Sequence, residues 1–236
     1  MHGALVIFRQ LYDRSTCTFS YLLADPGTRE AVLIDPVAEL LERDATLIEQ
    51  LDLTLRYTLE THIHADHVTS SGALRQRLGS RVVVSAAAGA QGADVEVRHG
   101  DTVTFGRRAL GVRATPGHTS TCITYVTDDE RMAFTGDALF VRGCGRTDFQ
   151  DGSSDQLYDS VWEQILSLPD DTLLYPGHDY RGNTVTSVGE EKRHNPRLGG
   201  GRTKEQFAAI MAGLDLAEPA RIKIAVPANL RCGQSG

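Results

Sequence analysis

The sequence predicts an α/β protein of the α+β type, in which two β-sheets pack together and are flanked by helices. Strand-like runs followed by a helix occur twice along the chain, and residues suited to metal binding stand at the ends of strands. With 236 residues, of which 41% are hydrophobic, the chain can bury a large core. We therefore expect one domain over residues 1–236, with residues 181–236 as a C-terminal extension that packs near the substrate mouth.

The first part of the chain predicts strands, then a helix, then another strand. Short apolar runs bounded by turn residues predict antiparallel strands over residues 4–8, 19–24 and 31–34. Asp35 and Pro36 then open a helix, because apolar side chains recur at helical spacing from Val37 to Leu51. A strand over residues 53–59 follows.

The rest of the chain predicts further short strands and three helices. Strands are expected over residues 81–84, 95–98, 102–105, 109–114, 123–126, 132–135 and 172–175. Helices are expected over residues 68–78, 153–168 and 204–216. Either Ser153 or Ser154 is suited to cap the second of these helices. Residues 222–226 favour neither a helix nor a strand.

A cluster of metal-binding residue types follows the strand predicted over residues 53–59. His62, His64, Asp66 and His67 lie within six residues and include three of the chain's eight histidines. Imidazole and carboxylate groups suit zinc or iron better than calcium or magnesium. A surface loop that happens to be rich in histidine is the alternative interpretation.

Three more strand ends carry candidate ligands. Pro-Gly-His occurs twice, ending at His118 and at His178, and Gly-Asp occurs at Asp137. Each follows an apolar run, and proline and glycine form the rigid, close turns that hold a ligand still. A single loop histidine is more often structural, but this repetition favours a metal site.

The residues from His62 to His67 fill the His-x-His-x-Asp-His signature of the metallo-β-lactamase superfamily, which the chain resembles over residues 4–180. The resemblance implies an αββα sandwich of two mixed β-sheets flanked by helices, with the metal site at one edge of the sheets. It also implies seven ligand positions that hold either one metal or two.

Longer segments are similar to the persulfide dioxygenases, and these segments are residues 142–150, 176–180, 195–198 and 227–233. This resemblance implies one Fe²⁺ per chain, held by His62, His118 and Asp137, and the oxidation of glutathione persulfide with O₂ to sulfite and glutathione. Two histidines and one carboxylate leave open positions for substrate and dioxygen. The remaining polar positions would orient the ligands without touching the metal, namely His64, Asp66, His67 and His178.

Contacts to glutathione are expected from side chains that bind carboxylates. The candidates are Arg146, Tyr180, Arg221, Asn229 and Arg231. For each of them a solvated side chain or a structural ion pair is the alternative interpretation. Cys144, between two glycines, is expected to pack rather than to react, and the role of Cys232 stays open.

Composition limits the partners and the compartment. The net charge of −7 and the pI near 5.6 argue against nucleic acid or an anionic membrane as a partner. We see no signal peptide, and no apolar run approaches the roughly 18 residues of a membrane helix. Four scattered cysteines fit a reducing compartment, so we expect a cytoplasmic protein. A homodimer through a helix such as residues 204–216 stays open.

Two other functions share this set of residues. The first is a dinuclear glutathione thioester hydrolase of the glyoxalase II kind. Only 58 residues follow His178, which leaves little for the helical substrate domain that such hydrolases carry. The second is a non-catalytic metal or redox sensor, for which the sequence offers no added basic or helical partner module.

Overall fold

The computed structural model describes residues 6–234, and Ala4 and Leu5 of the first predicted strand lie outside them. The described residues form two compact units. The first consists of residues 6–97, 102–110 and 218–234, and the second of residues 98–101 and 111–217. The expected extension over residues 181–236 of a single domain stays a prediction.

Within the described residues the first sheet has six strands, in the order β1-β2-β3-β4-β5-β6. They are β1 (Ile7–Tyr12), β2 (Phe19–Ala24), β3 (Glu30–Ile34), β4 (Thr54–Leu59), β5 (Arg81–Ser85) and β6 (Val95–Val97). The first three strands are antiparallel, as the sequence predicts, whereas β3 to β6 run parallel to one another. The carboxyl ends of β3 and β4 therefore lie side by side.

Strand β1 ends later than predicted, at Tyr12 and not at residue 8. It pairs with β2 from Ile7 opposite Ala24 to Tyr12 opposite Phe19. As an edge strand it has a neighbour on one side only, so polar residues such as Arg9 continue it. The prediction of residues 4–8 considered only the apolar run and stopped the strand too early.

In the part of the chain that the structure describes, the second sheet also has six strands, in the order β12-β11-β10-β9-β8-β7. They are β7 (Thr102–Phe105), β8 (Arg108–Ala114), β9 (Ile123–Thr127), β10 (Met132–Gly136), β11 (Leu173–Pro176) and β12 (Thr186–Ser187). Strand β10 is antiparallel to β9 and parallel to β11, so this sheet is mixed as well. The carboxyl ends of β10 and β11 lie side by side.

Six α-helices lie within residues 6–234, together with short turns of 3₁₀-helix. They are α1 (Leu41–Gln50), α2 (Ser71–Leu78), α3 (Ser154–Ser160), α4 (Val188–His194), α5 (Lys204–Ala212) and α6 (Ile222–Asn229). Among the helices of residues 6–234, none has both the length and the apolar character needed to cross a bilayer.

Helix α3 is shorter than the helix predicted over residues 153–168. Ser153 caps it by accepting a hydrogen bond from the backbone of Gln156, as one of the two predicted caps. The chain then widens into a π-helical turn, where the N–H of Leu166 donates to the carbonyl of Val161 at 2.7 Å. Leu157 in the helix and Val161 in the π-helical turn are fully buried.

The helices of the tail differ most from the sequence expectations. Helix α4 was not predicted, although a capping box between Ser187 and Glu190 starts it. Helix α5 ends at Ala212, before Gly213, and not at residue 216.

Helix α6 includes the residues 222–226 that the sequence left unassigned, and its neighbours explain why it forms. Val226 of α6 and Leu230, which follows the helix, pack on a cluster in the first unit that contains Ile63, Val82, Val84, Ala90 and Cys232.

Candidate metal centre

The histidine-rich loop leaves the carboxyl end of β4 and is anchored by Asp35 at the end of β3. The backbone N–H of Thr61 donates to Asp35 Oδ1 at 2.7 Å, and the Thr61 hydroxyl donates to Asp35 Oδ2 at 2.7 Å. Asp35 and Thr61 are both buried. One carboxylate therefore fixes both the backbone and the side chain of the residue before His62.

His62 is the first histidine of the loop and is buried. Its Nδ1 lies 3.0 Å from the Thr61 hydroxyl oxygen, and its ring centroid lies 4.1 Å from that of His64. The ring is therefore held on the Nδ1 side by its own neighbour in the chain.

His64 is fully buried between two carboxylates. Its Nε2 lies 3.1 Å from Asp35 Oδ1 and 3.5 Å from Glu60 Oε2. Burial lowers the pKa of His64, but the negative charges of Asp35 and Glu60 raise it by more, so the net pKa lies well above its ordinary value. These contacts are those of a histidine that pairs with carboxylates and supports the loop.

Asp66 and His67 interact with each other at the end of the loop. His67 Nδ1 donates to Asp66 Oδ2 at 3.0 Å, and the Thr18 hydroxyl donates to the same oxygen at 3.1 Å. Within residues 6–234, His67 Nε2 is buried and has no hydrogen-bond partner. Ligand atoms of His64, Asp66 and His67 lie within 4.8 Å of one another, so this group is also able to hold a metal.

Asn229, at the end of α6, holds the backbone of the same loop. Its Nδ2 donates to the carbonyls of His64 and His67, each at 2.9 Å, and its Oδ1 accepts the N–H of Thr69 at 2.9 Å. The residue is buried. Its predicted role as a substrate contact stays a prediction, while its amide is used in shaping the loop.

In the second unit, His118 is oriented by a backbone carbonyl. Its Nδ1 donates to the carbonyl of Arg146 at 2.7 Å. Because a carbonyl only accepts, the proton of the neutral ring is on Nδ1 and the lone pair is on Nε2. That Nε2 lies 3.5 Å from Asp137 Oδ2. The second unit thus brings two of the predicted metal ligands together, with Nε2 of His118 facing the carboxylate.

Asp137 and His178 leave the adjacent ends of β10 and β11. His178 Nδ1 donates to Asp137 Oδ1 at 2.7 Å. A side chain at Gly177 would place its Cβ 2.5 Å from Asp137 Oδ1, and one at Gly145 would place its Cβ 2.7 Å from His118 Nδ1. Gly177 and Gly145 are therefore required by the close packing around Asp137 and His118.

These donor atoms fit a metal ion. Imidazole nitrogens and carboxylate oxygens bind zinc-like ions at roughly 2.0 to 2.2 Å, so two ligands of one ion stand roughly 3 to 3.5 Å apart. The 3.5 Å between His118 Nε2 and Asp137 Oδ2 agrees with this spacing. The other oxygen of Asp137 is occupied by His178, which orients the carboxylate.

Arg146 is a predicted substrate contact, and its guanidinium makes hydrogen bonds within the protein. It makes two hydrogen bonds to the Asp148 carboxylate, at 2.6 and 2.7 Å, and donates to the carbonyl of Ala217 at 2.6 Å. Its guanidinium carbon also lies 4.4 Å from the centre of the Phe149 ring. Arg146 therefore ties residues 216–217 to the segment whose backbone orients His118.

The other predicted substrate contacts differ in exposure. Tyr180 is 70% exposed, and its ring lies parallel to that of His178 at a centroid distance of 6.0 Å. Arg221 pairs with Glu39 at 2.6 Å, and Arg231 is exposed. Tyr180 combines exposure with a contact to a residue that orients Asp137, so it has the position best suited to meet a ligand. The substrate role of all three stays a prediction.

The cysteines give a direct test of burial. Burial raises the pKa of Cys144 to about 11, partly opposed by Arg197, and burial together with Glu60 raises the pKa of Cys232 to about 11. At pH 8 only about one such thiol in a thousand is a thiolate. We expect an aromatic disulfide reagent to label the half-buried Cys17 first, with Cys122, Cys144 and Cys232 reacting only after denaturation. Mass mapping of Cys144 as a fast-reacting thiol in the folded protein would contradict this.

Asp35 and Thr61 are the site residues that the sequence analysis missed. A signal for Asp35 was present, because it follows an apolar strand just as Asp137 does. It was interpreted only as the start of a helix.

Comparison with known proteins agrees with this site. Residues 18–178 match the family model of the metallo-β-lactamase superfamily. The human persulfide dioxygenase ETHE1, a mitochondrial protein, is 54% identical over 232 residues, which cover 98% of this chain and 90% of that protein. A crystal structure of ETHE1 from Myxococcus xanthus matches with a TM-score of 0.94 and 54% identity, and covers 97% of this chain and 100% of that one.

A hydrolase is a more distant relative. The hydroxyacylglutathione hydrolase of Nitrobacter hamburgensis is 37% identical over 186 residues, which cover 75% of this chain and 68% of that protein. The similarity to the persulfide dioxygenases is both higher and more extensive, and includes the tail that follows His178. The chain therefore belongs to the persulfide dioxygenase family of the metallo-β-lactamase superfamily.

Proposed function

We propose that the protein is a persulfide dioxygenase that oxidises glutathione persulfide with O₂ to sulfite and glutathione. One water completes the balance, because persulfide, O₂ and water together supply the three oxygens of sulfite and the hydrogen of the returned thiol. The observation that carries the proposal is the 54% identity to a persulfide dioxygenase across nearly the whole chain. The glyoxalase II-like alternative is not favoured, because its representative matches less of the chain at lower identity.

We further propose that His62, His118 and Asp137 hold one Fe²⁺ per chain. Two imidazoles and one carboxylate leave positions open for both persulfide and dioxygen, and this is the chemistry that bound iron would supply. The chain's own groups keep the ligands in place. The carbonyl of Arg146 holds His118 by Nδ1, and His178 holds one oxygen of Asp137.

The proposed single metal rests on the similarity to the persulfide dioxygenases, and the other candidate ligands make polar contacts with the protein. His64 faces Asp35 and Glu60, Asp66 accepts from both His67 and Thr18, and His178 donates to Asp137. These contacts leave His64 Nδ1 and His67 Nε2 buried and without a hydrogen-bond partner within residues 6–234, so elemental analysis decides whether a second ion is bound. The second ion is the feature that a dinuclear thioester hydrolase needs to activate water.

The proposal is tested by metal content and oxygen consumption together. Protein expressed in iron-supplemented medium is expected to contain one iron per chain by elemental analysis and to consume O₂ only when glutathione persulfide is added. Two zinc ions per chain, together with release of thiol from S-D-lactoylglutathione without O₂ uptake, would establish the hydrolase instead. Absence of turnover on either substrate would favour the sensor.

Replacing Arg146 by Ala tests the proposed anchoring of the substrate carboxylates. If Arg146 binds glutathione, the Michaelis constant for glutathione persulfide is expected to rise about 10-fold, since hydrogen bonds to charged groups contribute about 1.5 to 3 kcal/mol. Iron content should change little. Arg113→Ala is the matched control, because Arg113 pairs with Glu130 in the same unit. A lower melting temperature with an unchanged Michaelis constant would show that Arg146 is structural.

We propose a location in the cytoplasm, because the four scattered cysteines fit a reducing compartment. A homodimer through a helix such as residues 204–216 is proposed as the alternative to a monomer. The metal site requires neither. Cell fractionation and light scattering of the purified protein measure them directly.

A further inference from the structure

Asp35, Thr61 and His62 are connected by a series of hydrogen bonds, in which Thr61 lies between the other two residues. The Thr61 hydroxyl oxygen lies 2.7 Å from Asp35 Oδ2 and 3.0 Å from His62 Nδ1. Asp35, Thr61 and His62 are all less than 5% exposed, so water does not compete for these hydrogen bonds. All three belong to the first unit.

The chemical nature of the groups determines which atom donates in each hydrogen bond between Asp35, Thr61 and His62. A hydroxyl has one hydrogen, and a carboxylate only accepts, so the Thr61 hydroxyl hydrogen points to Asp35. The oxygen of Thr61 is then an acceptor towards His62. For the contact at 3.0 Å to be a hydrogen bond, His62 Nδ1 must donate.

The donor state of Nδ1 determines the other nitrogen. In a neutral imidazole only one nitrogen carries a proton, so a protonated Nδ1 leaves the lone pair on Nε2. The carbonyl of Arg146 imposes the same state on His118. Metal-binding histidines usually have their second nitrogen held in this way by a carboxylate or carbonyl.

We propose that Asp35 is a positioning residue that acts through Thr61 to keep His62 in the tautomer whose Nε2 binds the metal. The proposal rests on His62 being a metal ligand, as in the proposed function. It adds a task for two residues outside the ligand motif, and it requires the hydroxyl of Thr61 specifically.

A purely structural role makes a different prediction. Asp35 also accepts the backbone N–H of Thr61 and faces His64, and these contacts do not need the hydroxyl. Thr61→Val removes the hydroxyl and keeps the backbone N–H and the branched shape, whereas Thr61→Ser keeps the hydroxyl. This pair of variants separates tautomer control from loop anchoring.

The first measurement needs no variant and no metal. Nitrogen-15 NMR of the histidine rings in the metal-free protein at pH 8, with His62 assigned by its loss in His62→Gln, is expected to show the proton on Nδ1. A proton on Nε2 of His62 in the unsubstituted protein would overturn the proposal, whatever the variants do. In Thr61→Val the population is expected to shift towards the Nε2-protonated form, while Thr61→Ser keeps the original form.

The second measurement is metal affinity. Competition of the metal-free protein with a chromophoric chelator for Co²⁺ is expected to show binding weaker by about 10- to 100-fold in Thr61→Val, the range for losing a partner of a ligating histidine. Thr61→Ser is expected to bind within about 3-fold of the unsubstituted protein. Equal affinity of Thr61→Val and the unsubstituted protein, or equal weakening by both variants, would reject the role of the hydroxyl.

These results are separable from the proposed activity. If O₂ uptake with glutathione persulfide fails while the tautomer and Co²⁺ results hold, only the proposed function is wrong. If O₂ uptake succeeds while Thr61→Val keeps both the tautomer and the affinity, only the role of Asp35 and Thr61 is wrong.

Discussion

Asp137→Asn is expected to leave the protein with less than about a tenth of its iron and to lower O₂ uptake by more than about 100-fold, since losing even a residue that orients a ligand lowers affinity or activity about 10- to 100-fold. The carboxylate accepts from His178 through Oδ1, and its Oδ2 faces Nε2 of His118. An amide must keep its oxygen towards His178. It then presents an N–H where the metal needs a lone pair.

The measurement is iron per chain by elemental analysis together with kcat/KM for glutathione persulfide. Asp170→Asn is the matched control, because it makes the same chemical change at an exposed carboxylate of the same unit, paired with Lys192. The control should keep full activity. An Asp137→Asn protein that retains one iron per chain and more than a tenth of the activity would exclude Asp137 as a ligand.

The parts of this molecule that the sequence predicted well are those encoded by neighbouring residues. Strands β2, β7 and β10 were found because each is a short apolar run followed by a turn. The candidate metal ligands were found because each follows the end of an apolar strand and a proline or glycine in the sequence. His118 and Asp137 are examples. Such signals need no knowledge of the partner strand.

The features that were missed depend on residues that are far apart in the chain. Helix α6 lacks a clear polar face in the sequence, and it forms against Ile63 and Val82, which are about 160 and 140 residues earlier. The sequence indicates a helix start at Asp35 and does not indicate its contact with Thr61. The two residues become neighbours only when β3 and β4 pair in parallel. The predicted end of strand β1 was too early, because an edge position tolerates polar residues such as Arg9 that end an apolar run.

The hydrogen bonds of Asn229 are another feature that no local pattern indicates, and its contact with the substrate stays a prediction. A sequence segment similar to the persulfide dioxygenases suggested a substrate contact. The structure shows the side chain donating to two carbonyls of the histidine loop and accepting from Thr69. These partners are about 160 residues away in the chain, so no local pattern indicates them.

Asn229→Ala is expected to lower the free energy of unfolding by about 3 kcal/mol or more. The substitution leaves the buried carbonyls of His64 and His67 and the N–H of Thr69 without their partner, and each unsatisfied buried group costs about 1 to 3 kcal/mol. We expect iron content to fall as well, because the loop that these bonds shape also carries His62. Denaturant titration and elemental analysis of the same samples measure both effects.

Asn183→Ala is the control, because Asn183 is exposed and its side chain bonds only to Asp179 among the described residues. It should change the free energy of unfolding by less than about 0.5 kcal/mol. If Asn229 instead served the substrate alone, Asn229→Ala would raise the Michaelis constant for glutathione persulfide and leave the denaturation midpoint and the iron content unchanged. If the buried amide of Asn229 joins α6 to the loop, the opposite result is expected. The substitution then lowers stability and iron content, and any change in the Michaelis constant is a consequence of that loss.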